Sequence, residues 1–528
     1  MSAFVTDQFR ILNTNSFISA ISDNSDYYYV FFGLSNPGGS STKFGRVLNW
    51  DDGSTANSIV PDPTDNFHYL NHYKDTIIFG KRVIPENVRR CIRKVEWKNG
   101  VAYDMYRHDY SINNTTSETD RSRLYDGDYY VINSQYQVYI CISNGSNGDS
   151  PSGNTSRSEP TFTDLEPSFA GDGSDGYLWK YLFTVPPSDI IKFDSTEFIP
   201  LPNNWSTSSN TQISNVRNNG DSSTNNNQIK FVYIESGGNS GYTSGEVDIY
   251  GDGTGAKVYI ETDNDGKIVK TSVTSGGSGY TYGIVDLGPL QTLSSYPEQN
   301  PPAELIPIIP PSKGHGYDLY AELGADKVLI YNRFDDSVQD FPTDTKFAQI
   351  GVLKNPTEFS SSTNYIASTF SGLYSIRVTN MDGSPVIGEK FEQNVTGGIA
   401  KGYVGSYNAE TKILKYYKDR SLYYHPTSSD YHKDHINVST TAVSATLDFN
   451  GSNALTGDSG WSASIDTTFT GSSVTVNNKT IDLDVNINNG LASPEINKTS
   501  GDIIFIDNRP LVTRNSRQKE DVKIILEF

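Results

Sequence analysis

The chain is poor in sulfur, with two cysteines and three methionines in 528 residues. Cys91 and Cys141 cannot build a disulfide framework, and no cysteine pair stands at zinc-site spacing. Both are expected as reduced thiols of a protein made in a reducing cytoplasm. No run of about 18 apolar residues occurs, so no membrane-spanning helix is expected. The opening MSAFVTDQFRILNTNS has no basic stretch leading into an apolar one, so no signal peptide is expected. Positive charge is scarce as well. The 42 Lys and Arg face 62 Asp and Glu, a net charge of −20. A surface that acidic repels phosphate backbones and argues against nucleic-acid binding. Ala/Leu/Glu/Lys-rich helical blocks are missing too.

Abundant instead are 34 Tyr, 45 Gly and 24 Pro, a composition of strands and turns. The length exceeds what one core supports. The expected fold is mainly β, all-β with a few short helices, in a multi-domain β-sandwich or barrel-like architecture with inserted β modules. A β-rich, Asn- and Tyr-rich protein built without an export signal fits something released by another route, such as a virion component.

Texture changes divide the chain into 1–202, 203–299, 300–358, 359–499 and 500–528. Near the start, Phe17, Ile18 and Ile21 form a helical stripe that Asn13 or Thr14 could cap. YYYVFFG (27–33) reads as a buried strand and SNPGGSS (35–41) as a turn. IPENVRRCIRKVEWK (84–98) reads as a helix, with Pro85 at its first position and Val88, Cys91, Ile92 and Val95 on one side. Arg89, Arg90, Arg93 and Lys94 then lie opposite. Against the acidic background they form a candidate interface for an acidic partner. YYVINSQYQVYICISN (129–144) reads as a hairpin turning near Asn133 and Ser134.

Residues 203–228, rich in Asn, Ser and Thr, read as a linker. They lead into an internal repeat: IESGGNSGYTSGEVDI (234–249) matches VTSGGSGYTYGIVDL (273–287) with one residue deleted, which implies a small pseudo-symmetric β module. Its glycines would supply positive-φ turns and Tyr242 and Tyr280 would pack across them. Residues 359–499 read as one or two small barrels or sandwiches, and 501–528 as two strands.

In DGYLWKYLFTVPP (175–187), Asp172 and Asp175 lack the partners of a metal loop and read as turn formers. Tyr177, Trp179, Tyr181 and Phe183 share one face of a core strand. Leu178, Lys180 and Leu182 share the other, part of which is open to a neighbour. Pro186 and Pro187 end the strand. His425, His432 and His435, with Asp430 and Asp434, have metal-ligand chemistry but sit in a Ser-rich stretch without a general-base motif, and read as a solvated loop. No nucleophile elbow, phosphate loop or EF-hand pattern occurs. No enzyme activity, cofactor or metal is expected.

Four blocks, FVTDQFR through VFFGLSNP (4–37), GDGSDGYLWKYLFTVPPSD with EFIPLP (171–202), DFPTDTKFAQIGVLKNP (340–356) and GDIIFIDNRP with VKIILEF (501–528), carry a family resemblance. In collinear order they resemble the baseplate wedge subunit, the gene eight product, of T-even-type contractile-tailed bacteriophages. The match covers roughly 1–202, 300–358 and 500–528. The modules near 205–295 and 359–499 look like insertions that the family prototype lacks. The resemblance implies a non-enzymatic β-rich virion protein of the tail baseplate. It would dimerise, pack with other wedge proteins around the tail hub, and take part in the change that triggers sheath contraction. The alternative expectation is a host-recognition or glycan-binding tail protein, in which tyrosines of the inserted modules stack on sugar rings.

Overall fold

The computed structural model describes residues 5–34, 60, 62–63, 65, 67–221, 226–292, 302–335, 345–418, 447–515 and 518–528. Strand outweighs helix 44% to 12%, so the protein is mainly β and multi-domain. It divides into two compact units. One comprises Met1–Ser16, Arg89–Leu329 and Ile525–Phe528, the other Phe17–Val88 and Ile330–Ile524.

The first unit is built on an antiparallel sheet ordered Tyr130–Ile132, Gln137–Asn144, Tyr177–Thr184, Ser168–Phe169. The expected hairpin is present. Asn133 Oδ1 accepts the N–H groups of Gln135 at 2.9 Å and Gln137 at 2.8 Å, and Tyr136 takes φ 59° to turn the chain. Tyr177, Trp179, Tyr181 and Phe183 are all buried in the Tyr177–Thr184 strand, but the expected single face breaks at its end: Tyr181 pairs with Tyr139 and Phe183 with the adjacent Val138, so a bulge at Leu182 turns Phe183 to the other side. Of the residues expected on the other face, Lys180 and Leu182 are buried and Leu178 is half-buried. Asp175 is a turn former, as its residue type suggested. Its carboxylate accepts the N–H of Arg157 at 2.9 Å and of Tyr177 at 3.1 Å.

Three local expectations are overturned. The helix expected over 84–98 is instead a three-residue 3-10 turn, Pro85–Asn87, followed by the strand Val88–Arg93. That strand pairs with Phe198–Leu201, setting Arg90 opposite Leu201 and Arg93 opposite Phe198. A strand buried on both faces has no strict alternation, and apolar side chains at 88, 91, 92 and 95 then imitate a helical period. The N-terminal helix spans Asp7–Ser22, with Phe17, Ile18 and Ile21 buried. Thr6 Oγ1 accepts the Phe9 N–H at its start, whereas Asn13 and Thr14 are interior, the latter returning its hydroxyl to Arg10 O. The stretch read as a linker carries a helix, Thr211–Asp221, whose N-terminus is capped by Asn210 Oδ1. Fully buried Trp205 and Val216 anchor the stretch, so tertiary burial outweighs the weak propensity of its Asn and Ser residues.

The sequence repeat is a structural one. Copy one contributes strands Val232–Ser236, Gly245–Gly251 and Thr254–Thr262, and copy two Ile268–Ser278, Gly283–Val285 and Glu304–Pro307. The copies exchange reciprocal bonds: Ile229 N–H to Gly276 O at 2.9 Å, and Ile268 N–H to Gly237 O at 3.0 Å. Their tyrosines are swapped in the same way. Tyr280 of copy two accepts the N–H of Ala256 at the third strand of copy one, and Tyr242 of copy one accepts that of Ala303 at the third strand of copy two. The glycines beside each tyrosine adopt positive φ, 92° at Gly241 and 81° at Gly279, as the turns require. The symmetry fails in one place. In copy one the second and third strands form a hydrogen-bonded hairpin, whereas in copy two Gly283–Val285 and Glu304–Pro307 belong to different sheets.

In the second unit a five-stranded antiparallel sheet is ordered Thr369–Ser371, Ile77–Arg82, Tyr28–Gly33, Thr345–Lys354, Asp502–Arg514. Its central strand is buried over its whole length, as the YYYVFFG run suggested. Six strands between Tyr374 and Ile465 close into a barrel, Tyr374–Asp382 pairing with both Ile413–Tyr417 and Ser462–Ile465. Phe391, Tyr416, Phe449 and Trp461 fill its interior. The turn expected at 35–41 and the histidines His425, His432 and His435 lie outside the described residues.

Candidate functional site

Arg89, Arg90 and Arg93 on the Val88–Arg93 strand, and Lys94 just after it, do not share one exposed face. Strand geometry sends alternate side chains to opposite sides. Arg89 forms a two-pronged ion pair with Asp189, Nε to Oδ2 at 2.9 Å and Nη2 to Oδ1 at 3.0 Å, and its guanidinium lies 4.9 Å from the Phe193 ring. Arg90 is buried. It donates to Asn15 Oδ1 at 2.9 Å and Asn203 Oδ1 at 3.3 Å, and lies 4.1 Å from the centre of the Tyr320 ring. Burial lowers the Arg90 pKa, against the opposing influence of Tyr320 and Asp318. Both arginines therefore serve the interior of the unit.

Arg93 and Lys94 do reach a surface. They line a cleft of about 750 Å³ together with the first turns of the N-terminal helix, residues 121–126, Thr196–Phe198 and Leu323–Lys327. Ile11, Ile92, Tyr130 and Leu323 contribute apolar wall, and six basic and five acidic side chains line the cleft with them. Arg93 pairs with Asp128 at 2.6 Å and Lys94 with Asp194 at 3.1 Å. Lys327 bridges Asp326 at 2.8 Å and Glu527 at 3.3 Å, and Arg123 contacts Asp7. Burial works to lower the Lys94 pKa, but the Asp194 carboxylate and then Glu96 outweigh it, and the net shift is upward. For Lys327, too, burial is outweighed by Asp326 and Glu527, so the ammonium is held charged. Arg121 and Glu197, both exposed, extend the rim.

Such a set of fixed charges of both signs beside an apolar wall suits a polypeptide surface of matching charge pattern better than a compact ion. The sequence pointed to Arg93 and Lys94 but missed Arg10, Arg121, Arg123 and Lys327, which come from distant segments and have no shared local motif.

A second polar constellation is fully internal. His315 Nδ1 lies 2.6 Å from Glu322 Oε1, and Glu322 Oε2 accepts the Gly316 N–H at 2.6 Å. The Tyr106 ring meets the imidazole edge-on at 4.8 Å. With both carboxylate oxygens engaged and neither residue exposed, the pair holds a loop together. Among the described residues, no group of three His, Cys, Asp or Glu side chains is placed to hold a metal ion, and no helix is long and apolar enough to cross a membrane. The latter says nothing of membrane-spanning strands.

The fold defines a mainly β, multi-domain protein with a mixed-charge cleft and a pseudo-symmetric module. No family model matches the chain, and no curated protein matches it.

Proposed function

We propose that the chain is a structural, non-catalytic subunit of a contractile-tail baseplate wedge, located in the virion and working through its interfaces with other wedge proteins and with a second copy of itself. The observation that carries this reading is the adjacency of distant sequence blocks. Tyr28–Gly33, Thr345–Lys354 and Asp502–Arg514, from three of the four wedge-like blocks, lie side by side in one sheet, with Tyr28 opposite Lys354 and Lys354 opposite Asp502. Three of the wedge-like segments thus share one sheet, and the closed barrel between Tyr374 and Ile465 is an excursion between two of its strands. The mixed-charge cleft adds a surface suited to a protein neighbour, since polar, partly charged interfaces favour partner discrimination and fast encounter.

Co-expression with neighbouring wedge subunits tests the reading. A discrete stoichiometric complex by size-exclusion chromatography with light scattering is expected. Arg93→Glu with Arg121→Glu should weaken it in a salt-sensitive way, because charges at a rim are screened over about 10 Å at 0.1 M salt. A chain that stays monomeric with every wedge subunit would sink the proposal.

A further inference from the structure

The broken symmetry of the repeat module leaves a cleft of about 560 Å³ between Gly283–Val285 and Glu304–Pro307. Its volume falls within the roughly 300–1,000 Å³ of small-molecule sites. In copy one the equivalent strands zip together, Gly245 opposite Ile260 and Asp248 opposite Lys257. In copy two they belong to different sheets, and no ladder pairs them among the described residues. Backbone direction follows from the bonds just beyond each strand. Asp286 N–H donates to Asp248 O at 3.1 Å, so alternate residues Val285 and Gly283 turn their N–H and C=O groups to the seam. Ile308 N–H donates to Phe231 O at 2.9 Å, so Leu305 turns its N–H and C=O, and Pro307 its C=O alone, to the seam from the other side. The seam thus presents backbone donors and acceptors with no partner among the described residues.

Beside it lies an exposed apolar surface. Tyr250 and Ile284 stand directly opposite each other on paired strands, 61% and 68% exposed, with Tyr282 next to them at 58%. Opposed side chains at such positions have Cβ atoms about 5 Å apart, so they form one patch. The Tyr282 backbone is pinned by Asp252, whose carboxylate accepts the N–H groups of Thr281 and Tyr282 and the Thr281 hydroxyl. Further along the same outer face Glu246, Asp248 and Lys257 are polar and exposed. Polar side chains complete the cleft. Asp286 uses one oxygen on Gly288 N–H at 3.0 Å, and the Glu304 and Gln291 side chains have no partner among the described residues.

The chemistry of these groups restricts the ligand. Two carboxylates and no cation on the lining disfavour an anion. Free backbone and side-chain hydrogen-bonding groups disfavour a purely apolar guest, which would leave them desolvated. A ring with one apolar face and a rim of hydroxyls satisfies both. We propose that this seam is a binding site for a neutral saccharide, stacked on Tyr250, Tyr282 and Ile284 and hydrogen-bonded by Asp286, Glu304, Gln291 and the open strand edges. The site is independent of the wedge role and would survive its failure.

Saturation-transfer NMR and calorimetry on the full chain, with maltotriose and chitotriose as neutral probes and sialyllactose as an anionic one, test it. At least one neutral probe should bind and sialyllactose should bind more weakly. Tyr282→Ala should weaken the neutral probe about tenfold or more. Asp286→Asn, which preserves shape, should weaken it measurably, and Tyr259→Ala, on the same face outside the cleft, should leave it unchanged. Thermal melts check that each variant is folded. Any of three results overturns the proposal. One is no neutral binding at about 10 mM. The second is binding indifferent to both Tyr282→Ala and Asp286→Asn. The third is a concentration-dependent dimer abolished by Tyr250→Glu without saccharide binding, which would make the patch a contact between copies.

Discussion

Lys180 donates its hydrogen bond to the backbone carbonyl oxygen of Leu165, inside the first unit, with 1% of its surface exposed. Burial, reinforced by the nearby charge of Lys230 and only partly offset by Glu166, pulls its pKa down to about 8. The unfolded chain therefore holds this proton up to a higher pH than the folded one. Stability should be lowest, as far as this group is concerned, below about pH 8, and should rise as pH increases from there toward the ordinary lysine value of 10.5. Lys180→Met keeps the stem and removes the charge. It should stabilise the protein at pH 7 by about 1–3 kcal/mol and abolish that rise, measured by urea unfolding at pH 7 and pH 9.5.

Arg89 and Arg93 sit on one strand and should behave differently. Arg89→Ala leaves Asp189, itself buried, without its two-pronged partner and should cost about 2–3 kcal/mol. Arg93, with 47% of its side chain exposed, should cost less than about 1 kcal/mol when truncated. Denaturant midpoints of the two variants check the contrast. Equal costs would mean that the difference in burial between the two ion pairs does not hold in solution.

Tyr280 joins the two repeats through its hydroxyl, accepting from Ala256 N at 3.1 Å and donating to Ile249 O at 2.9 Å. Tyr280→Phe strands a buried N–H and a buried carbonyl, at an expected cost of about 1–3 kcal/mol. Tyr242→Phe, which frees the part-buried Ala303 N–H, should cost less. Hydrogen exchange at Ala256 and Ala303 reports each loss separately.

Glu322 spends both oxygens on His315 and Gly316. Truncation to Ala should destabilise by about 3–5 kcal/mol, since it strands a buried imidazole and a backbone donor. Glu322→Gln, which keeps an acceptor for Gly316, should cost clearly less. Thermal unfolding of the pair of variants is the measurement.

Cys91 and Cys141 are buried, which pushes the Cys91 thiol up to about 12 and Cys141 well above its ordinary range. Neither should react with iodoacetamide in the native protein at pH 8, and both should label in urea. Native labelling of Cys141 would contradict its position inside the sheet.

Much of the fold was legible because it depends on short-range chemistry. The YYYVFFG strand, the Asn133 hairpin turn, the Asp175 turn and the duplicated Gly–Tyr motif each carry their instruction within a few residues. So does the Tyr177, Trp179, Tyr181 alternation, whose period of two needs only a strand, whereas the bulge that turns Phe183 away has no local signal. Legibility failed where burial on both sides erased periodicity. Val88–Arg93 imitated a helix, and Lys180 looked like a surface residue although the sheet covers it. It failed again at Thr211–Asp221, where a cap at Asn210 and the packing of Val216 outweigh poor propensity.

The sequence by itself determined the strand-rich character, the repeat and the turn positions, since these follow from backbone preference and local spacing. Only the tertiary structure decided which charges meet. Arg89 lies a hundred residues from Asp189, and Arg93 and Lys94 share a cleft with segments from both ends of the first unit. It also decided that copy two of the repeat leaves a seam where copy one closes a hairpin. Pairing over such separations depends on how the chain packs as a whole, and nothing in the neighbouring residues encodes it.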